Sequence, residues 1–157
     1  LFTIFNVISG RVFLGDMGAY GLGASLVLCS LYLFSENIFS AMFLAVLFAY
    51  PCIELVTSLI RRSWQGCPLF SPDNDHLHNR VHQFFEVWFS SKTFANSLTG
   101  ILIVSFSSGF ALLGYAGQFW ELTSNRWVWV FIGQCSLYFL VFMITRIYRI
   151  KRADLAN

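Results

Sequence analysis

Charge-free apolar runs alternate with short charged intervals along this chain. The runs extend from Met17 to Ser35, from Asn37 to Ile53, from Thr93 to Trp120 and from Trp127 to Thr145. A helix needs about 20 mostly apolar residues to cross the hydrocarbon core of a bilayer. The first and last runs meet that length directly, and the second meets it only by continuing past Glu54 to Ile60. The third exceeds it, which predicts a tilted helix or an interfacial end. The expected fold is therefore all-α: a polytopic membrane protein with four transmembrane helices, at about 17–35, 37–60, 93–117 and 127–146, and a connecting loop at 61–92. Within the second run, Pro51 followed by Glu54 predicts a kinked or broken helix near the membrane surface. A proline frees a backbone carbonyl, which at membrane depth needs a cavity lined by protein or water. An ordinary proline kink with Glu54 at headgroup level fits the same residues.

The loop has a pattern of its own. Ser71-Pro72-Asp73 reads as a helix start, with proline tolerated in the first turn and an acid near the positive end of the dipole. Beyond it Leu77, Val81, Phe84, Phe85 and Trp88 recur at helical spacing and form one apolar stripe. This predicts an amphipathic cytoplasmic helix lying on the membrane surface, with His78 and His82 one turn apart on its polar side.

Composition changes the picture by removing alternatives. The chain is 57% hydrophobic and only 11% charged, with a mean hydropathy of +0.64. A soluble domain carries about 25% charged residues, so lipid is the expected solvent and a disordered chain is excluded. Cys29, Cys52, Cys67 and Cys135 show no C-x-x-C spacing, which excludes a zinc ribbon or a redox pair, and three of them lie in apolar runs as small hydrophobes. A formal net charge of +2 is too balanced for a nucleic-acid binder. The placement of the charges is informative. With four crossings, Arg11, Arg61, Arg62, Arg80, Lys92, Arg146, Arg149, Lys151 and Arg152 share one side, and only Arg126 falls on the other. The positive-inside rule makes the basic side cytoplasmic, with Trp120 and Trp127 as interfacial anchors opposite. The chain opens on Leu1 within an apolar stretch, as expected of the C-terminal part of a longer protein.

Two constellations carry candidate chemistry. Asp16 stands at the cytoplasmic mouth of the first span, among Gly15, Gly18, Gly21 and Gly23. Carboxylates near a bilayer are costly and tend to mark function, and glycines let a phosphate or a metal approach the backbone. Magnesium takes one or two carboxylates and fills its other positions with water and phosphate oxygens. A helix-capping aspartate beside small packing residues is the plainer reading. The second constellation is Pro72-Asp73-Asn74-Asp75-His76-Leu77-His78-Asn79-Arg80, preceded by Arg61-Arg62. A zinc site on His76, His78 and an aspartate lacks a convincing fourth ligand. A loop of solvated charges and a diphosphate grip of arginines and histidines both remain open.

Together the two motifs resemble a known family. Phe13-Leu14-Gly15-Asp16-x-Gly18-Ala19-Tyr20-x-x-Gly23 is similar to the aspartate motif of the polyprenyl-phosphate N-acetylhexosamine-1-phosphate transferases, and Pro72-Asp73-x-x-His76-Leu77-His78 to their cytoplasmic histidine motif. The resemblance runs from about Asn6 to Arg80, and its Gly-Ala-Tyr variant is closer to the exopolysaccharide and O-antigen branch than to the peptidoglycan branch. It implies transfer of a sugar 1-phosphate from a UDP-N-acetylhexosamine to a polyprenyl (undecaprenyl) phosphate, with release of UMP, in the bacterial cytoplasmic membrane. It further implies Mg2+ at Asp16, a nucleobase contact at Phe13, a polar pocket residue at Asn6, phosphate contacts at His76 and His78, and supporting roles for Arg61 and Arg62.

Two departures stand out. Asn79 occupies a place where the family's motif commonly has a further histidine, and the family's adjacent acidic pair is missing, since no Asp-Asp occurs in the chain. The expectation is that this chain holds half of a site, needs the N-terminal half of the same protein, and is inactive alone. A non-catalytic relative or membrane scaffold is the alternative. A small transporter using Asp16 and Glu54 fits less well, because both acids lie near span ends rather than at the midplane.

Overall fold

The computed structural model describes residues 14–66, 68, 75–89 and 91–156, with side chains up to Tyr148. All regular structure among them is helical: α1 (Gly15–Ser35), α2 (Ala41–Leu47), α3 (Ala49–Gln65), α4 (Leu77–Trp88), α5 (Lys92–Val104), a π-helical turn (Ser105–Gly109), α6 (Phe110–Ala116) and α7 (Trp127–Ala156). Three helical stretches are long and apolar enough to cross a membrane: Gly15–Ser35, Lys92–Ala116 and Trp127–Tyr148. The pair α2 and α3, bent by 79°, makes a fourth if it forms one broken span. The chain is an all-α polytopic membrane protein.

The break between α2 and α3 falls at Phe48, ahead of Pro51 rather than on it. Pro51 then sits in the first turn of α3, where its missing N–H costs nothing. The bend strands backbone groups that lipid cannot satisfy, and neighbouring helices supply partners. Ser107 Oγ, in the π-helical turn, donates to the Leu47 carbonyl at 2.7 Å and accepts from the Tyr50 N–H at 3.4 Å. Gln134 of α7, fully buried, directs Nε2 at the carbonyls of Val46 (3.2 Å), Phe106 (2.8 Å) and Ser107 (3.3 Å). Polar side chains of neighbouring helices thus meet backbone groups at the break. At its far end α3 stops on Gly66, whose φ of 65° only glycine adopts cheaply and whose N–H caps the carbonyls of Arg62 and Ser63.

Two apolar clusters hold the helices. One gathers Ala49, Ile53, Leu77, Val81 and Tyr138 from α3, α4 and α7. The other gathers Phe43, Val46, Ala111 and Trp127 from α2, α6 and α7. Two expectations change on these contacts. Trp127 is not an interfacial anchor: it is completely buried, edge-on to Phe43 at 4.9 Å and to Trp120 at 5.7 Å, with its indole N–H donating to the Glu121 carbonyl. A ring surrounded by aromatic side chains has no exposed face to offer lipid headgroups. The stripe of α4 likewise meets protein before lipid. Leu77 and Val81 are buried, Phe84 packs on Tyr148 at 5.0 Å, and only Trp88 at the end stays exposed.

α1 differs from every other span. None of its residues is buried, and its apolar side chains are spread round its whole circumference. An open apolar groove, lined among others by Gly23, Val27, Phe34, Leu44 and Pro51, separates it from α2 and α3.

Candidate functional site: a histidine cleft and a separate aspartate

The histidines lie at the start of α4, and the helix start expected at Ser71-Pro72-Asp73 lies outside the described residues. His76 is the residue before the first helical turn and His78 lies within that turn. No side chain of α4 itself caps the helix. Glu54, from the middle of α3 and 7% exposed, reaches across instead. Its Oε2 accepts from the Leu77 N–H at 3.2 Å and from the Tyr138 hydroxyl at 2.8 Å, while its Oε1 lies 3.0 Å from His76 Nδ1. A carboxylate beside Nδ1 holds the proton there, so Nε2 is the nitrogen left for a ligand. Tyr138 also meets the Thr57 hydroxyl at 3.0 Å. One acid therefore joins α3, α4 and α7.

The second histidine is held from the same helix. The Tyr50 hydroxyl lies 3.0 Å from His78 Nδ1, and the two imidazoles stack at 5.6 Å with planes 9° apart. Withdrawal of part of the ring from water, and then the charge of the adjacent His76, push His78 below the usual histidine range, outweighing the pull of Glu54. A neutral ring accepting the Tyr50 proton on Nδ1 suits that shift. His76, His78, Tyr50, Glu54, Ser58 and Arg62 share one open cleft of about 520 Å³.

The arginine pair does not act as a pair. Arg62 lines the histidine cleft, whereas Arg61 turns about 100° round the helix into a different cavity, with Nη2 3.3 Å from Ser58 Oγ. Asp75 and Arg80 pair with each other: Arg80 Nε donates to Asp75 Oδ1 at 3.0 Å and Nη2 to Oδ2, and the guanidinium lies 4.0 Å over the Phe142 ring. Arg80 is thereby turned away from the two histidines that precede it in the sequence.

Asp16 stands apart from the cleft. It occupies the first turn of α1, exposed, and is not among the residues that line the cavity with His76 and His78. Gly15, at φ 68°, turns the chain sharply into α1, and a Cβ there would meet nothing, so space is open beside the carboxylate. A Cβ on Gly18 would lie 2.7 Å from the Leu14 side chain, so that glycine serves local packing. Asn6 and Phe13 lie outside the described residues. Among the described residues no three His, Cys, Asp or Glu side chains stand together as a metal cluster. One exposed carboxylate fits a magnesium ion carried mainly by phosphate oxygens and water, and it does not fit a zinc site built from protein ligands.

Glu54 was visible in the sequence as an acid in an apolar run, but its partners were not. Tyr138 is 84 residues away and sits among ordinary aromatic span residues. Tyr50 and Thr57 carry no signal at all.

No family model matches the chain, and no solved structure matches it. Curated relatives do. The chain is 32% identical over 120 residues to the undecaprenyl-phosphate alpha-N-acetylglucosaminyl 1-phosphate transferase of Thermotoga maritima, covering 76% of this chain and 37% of that protein. It is 31% identical over 85 residues to the probable undecaprenyl-phosphate N-acetylglucosaminyl 1-phosphate transferase of Bacillus subtilis, covering 53% of this chain and 24% of that protein. The matched region is thus well under half the length of either relative. With these relatives, and with the aspartate and histidine motifs in one helical membrane chain, the chain belongs to the polyprenyl-phosphate N-acetylhexosamine-1-phosphate transferases.

Proposed function

We propose that the intact protein transfers N-acetylhexosamine 1-phosphate from a UDP-sugar to a polyprenyl phosphate, releasing UMP, at the cytoplasmic face of a bacterial inner membrane, as the first step of a cell-surface polysaccharide. The observation that carries this reading is the cleft in which Glu54 and Tyr50 hold His76 and His78 beside Arg62. An oxygen of the lipid phosphate attacks the phosphorus bearing the sugar. The new P–O bond forms as the bond to UMP breaks, giving a sugar-diphospholipid. Both reactants are anions, so catalysis consists largely of positioning and of offsetting negative charge. Arg62 contributes a fixed positive charge, and the free Nε2 of each histidine faces a ligand as donor or acceptor according to its protonation. Asp16, with Asn6 and Phe13 ahead of it, would contribute the donor side of the site. Mg2+ bound there would supply charge neutralisation at the diphosphate. Arg61, turned away from the histidines, is left out of this assignment.

The test is release of UMP from UDP-GlcNAc by membranes containing the intact protein, with added undecaprenyl phosphate and magnesium. Asp16→Asn should lower the rate about 100-fold or more, the size seen when one charge-stabilising group is lost. Equal rates for wild type and Asp16→Asn would point instead to a non-catalytic relative.

A further inference from the structure

About a quarter-turn round α3 from the histidine cleft lies a second cavity, of about 690 Å³, between α3 and α7. Its lining is graded along the helix axes. On α7 the apolar Phe139, Phe142 and Met143 precede Arg146 by one to two turns, and on α3 Thr57 and Ile60 precede Arg61. The cavity is therefore apolar at one end and basic at the other. Three arginines line it, Arg61, Arg80 and Arg146, against one carboxylate, Asp75, whose two oxygens both accept from Arg80. The Arg80 side chain is 6% exposed, yet its Nη1 has no hydrogen-bond partner among the described residues. A buried guanidinium nitrogen without an acceptor is costly, and an anion in the cavity would satisfy it.

We propose that this cavity binds an anionic phospholipid of the surrounding bilayer, with its phosphate among Arg61, Arg80 and Arg146 and an acyl chain along Phe139, Phe142 and Met143. The gradient favours an amphiphile over a free anion, because a soluble phosphate gains nothing from an apolar wall. The position favours a bilayer lipid over the reacting one. α3, with the Glu54–Tyr138–Thr57 hydrogen bonds, stands between this cavity and the histidine cleft, and the two share no lining residue. The lipid would brace α3 against α7 on a face of α3 separate from the histidine cleft. The inference rests on the chain crossing a membrane and is independent of the proposed reaction.

The test uses the intact protein in micelles carrying equal amounts of phosphatidylglycerol and phosphatidylcholine, with retained lipid counted by native mass spectrometry. Wild type should retain phosphatidylglycerol over phosphatidylcholine by about fivefold or more, the scale of one basic residue near a lipid phosphate. Arg146→Gln should bring the two lipids close to parity, and Arg146→Lys should restore most of the preference. Met143→Trp, at an exposed position that tolerates bulk, should reduce retention of both lipids by filling the acyl end. Equal retention by wild type would overturn the proposal, as would a preference that survives Arg146→Gln. Displacement by inorganic phosphate would make it a free-anion site instead. Stronger retention of undecaprenyl phosphate than of phosphatidylglycerol would give the cavity to the acceptor. UMP release, measured on the same preparations, reports separately on the reaction.

Discussion

Asp16 and Glu54 are both carboxylates set in otherwise apolar helices, and their surroundings differ in every respect that matters chemically. Asp16 belongs to a helix with no buried residue and is itself exposed, with open space beside it. Glu54 is buried and accepts from a hydroxyl and a backbone N–H while its other oxygen meets an imidazole, each on another element or at its edge. A carboxylate whose lone pairs are occupied holds structure together; one whose lone pairs are free can take a ligand. An acidic residue in a membrane helix is therefore not by itself a catalytic signal. The hydrogen-bond ledger around it decides.

That contrast is open to test. The largest effect should come from Glu54→Ala, which strips acceptors from the buried Tyr138 hydroxyl and Leu77 N–H. At about 1–3 kcal/mol for each buried group left unsatisfied, the loss should be about 2–6 kcal/mol, seen as a lower unfolding midpoint of the intact protein in detergent. Asp16→Asn should leave that midpoint unchanged within about 0.5 kcal/mol. If both variants unfold alike, the distinction between a structural and a ligand-ready acid fails. Next in size is Ser107→Ala, which removes the hydroxyl shared by the Leu47 carbonyl and the Tyr50 N–H at the helix break. Its expected cost is about 1–2 kcal/mol, and hydrogen exchange should quicken at residues 47–50 before it does at α7.

The smallest effect is a pH dependence. His78 is held below the ordinary histidine value near 6.5 by loss of solvent and by His76, against Glu54, with His82 adding a weaker push in the same direction. Below about 6.5 the unfolded chain binds a proton that the folded ring still refuses, so stability falls as pH drops through that window. It levels off once the folded ring is protonated, and nothing is gained above the window. Comparing unfolding midpoints at neutral and mildly acidic pH should show a steeper loss in wild type than in His78→Asn. The reverse order would mean that the Tyr50 contact favours the charged ring.

Much of this arrangement was legible in the residues and some was not, for identifiable reasons. Charge-free runs mark candidate spans because lipid forbids charge over about 20 residues; helices occupy most of each run, and the second is bent by 79°. The break was expected at Pro51 but lies at Phe48, because a proline is best tolerated just inside a helix start rather than at the hinge itself. The burial of Trp127 has no local signal, because tryptophan next to a span end reads the same whether it meets headgroups or Phe43. Arg61 and Arg62 look like a pair in the sequence, but adjacent helical residues face different ways, and the two line different cavities. Glu54 was seen, but its purpose depends on Tyr138 and Leu77, and no local pattern connects three helices across such separations.

The π-helical turn at Ser105–Gly109 has a consequence of another kind. Such a turn holds one residue more than an α-turn needs, so it sets the angular phase between α5 and α6. Regular α winding through the same residues would rotate α6 by about 100° relative to α5. Ala111 and Gly114 now face the aromatic cluster, and Gly114 does so closely enough that a Cβ would fall 2.5 Å from the Trp127 ring. After such a rotation a bulkier side chain would arrive in their place. One extra residue in the middle of a span thus determines which side of its outer half can nest against tryptophan.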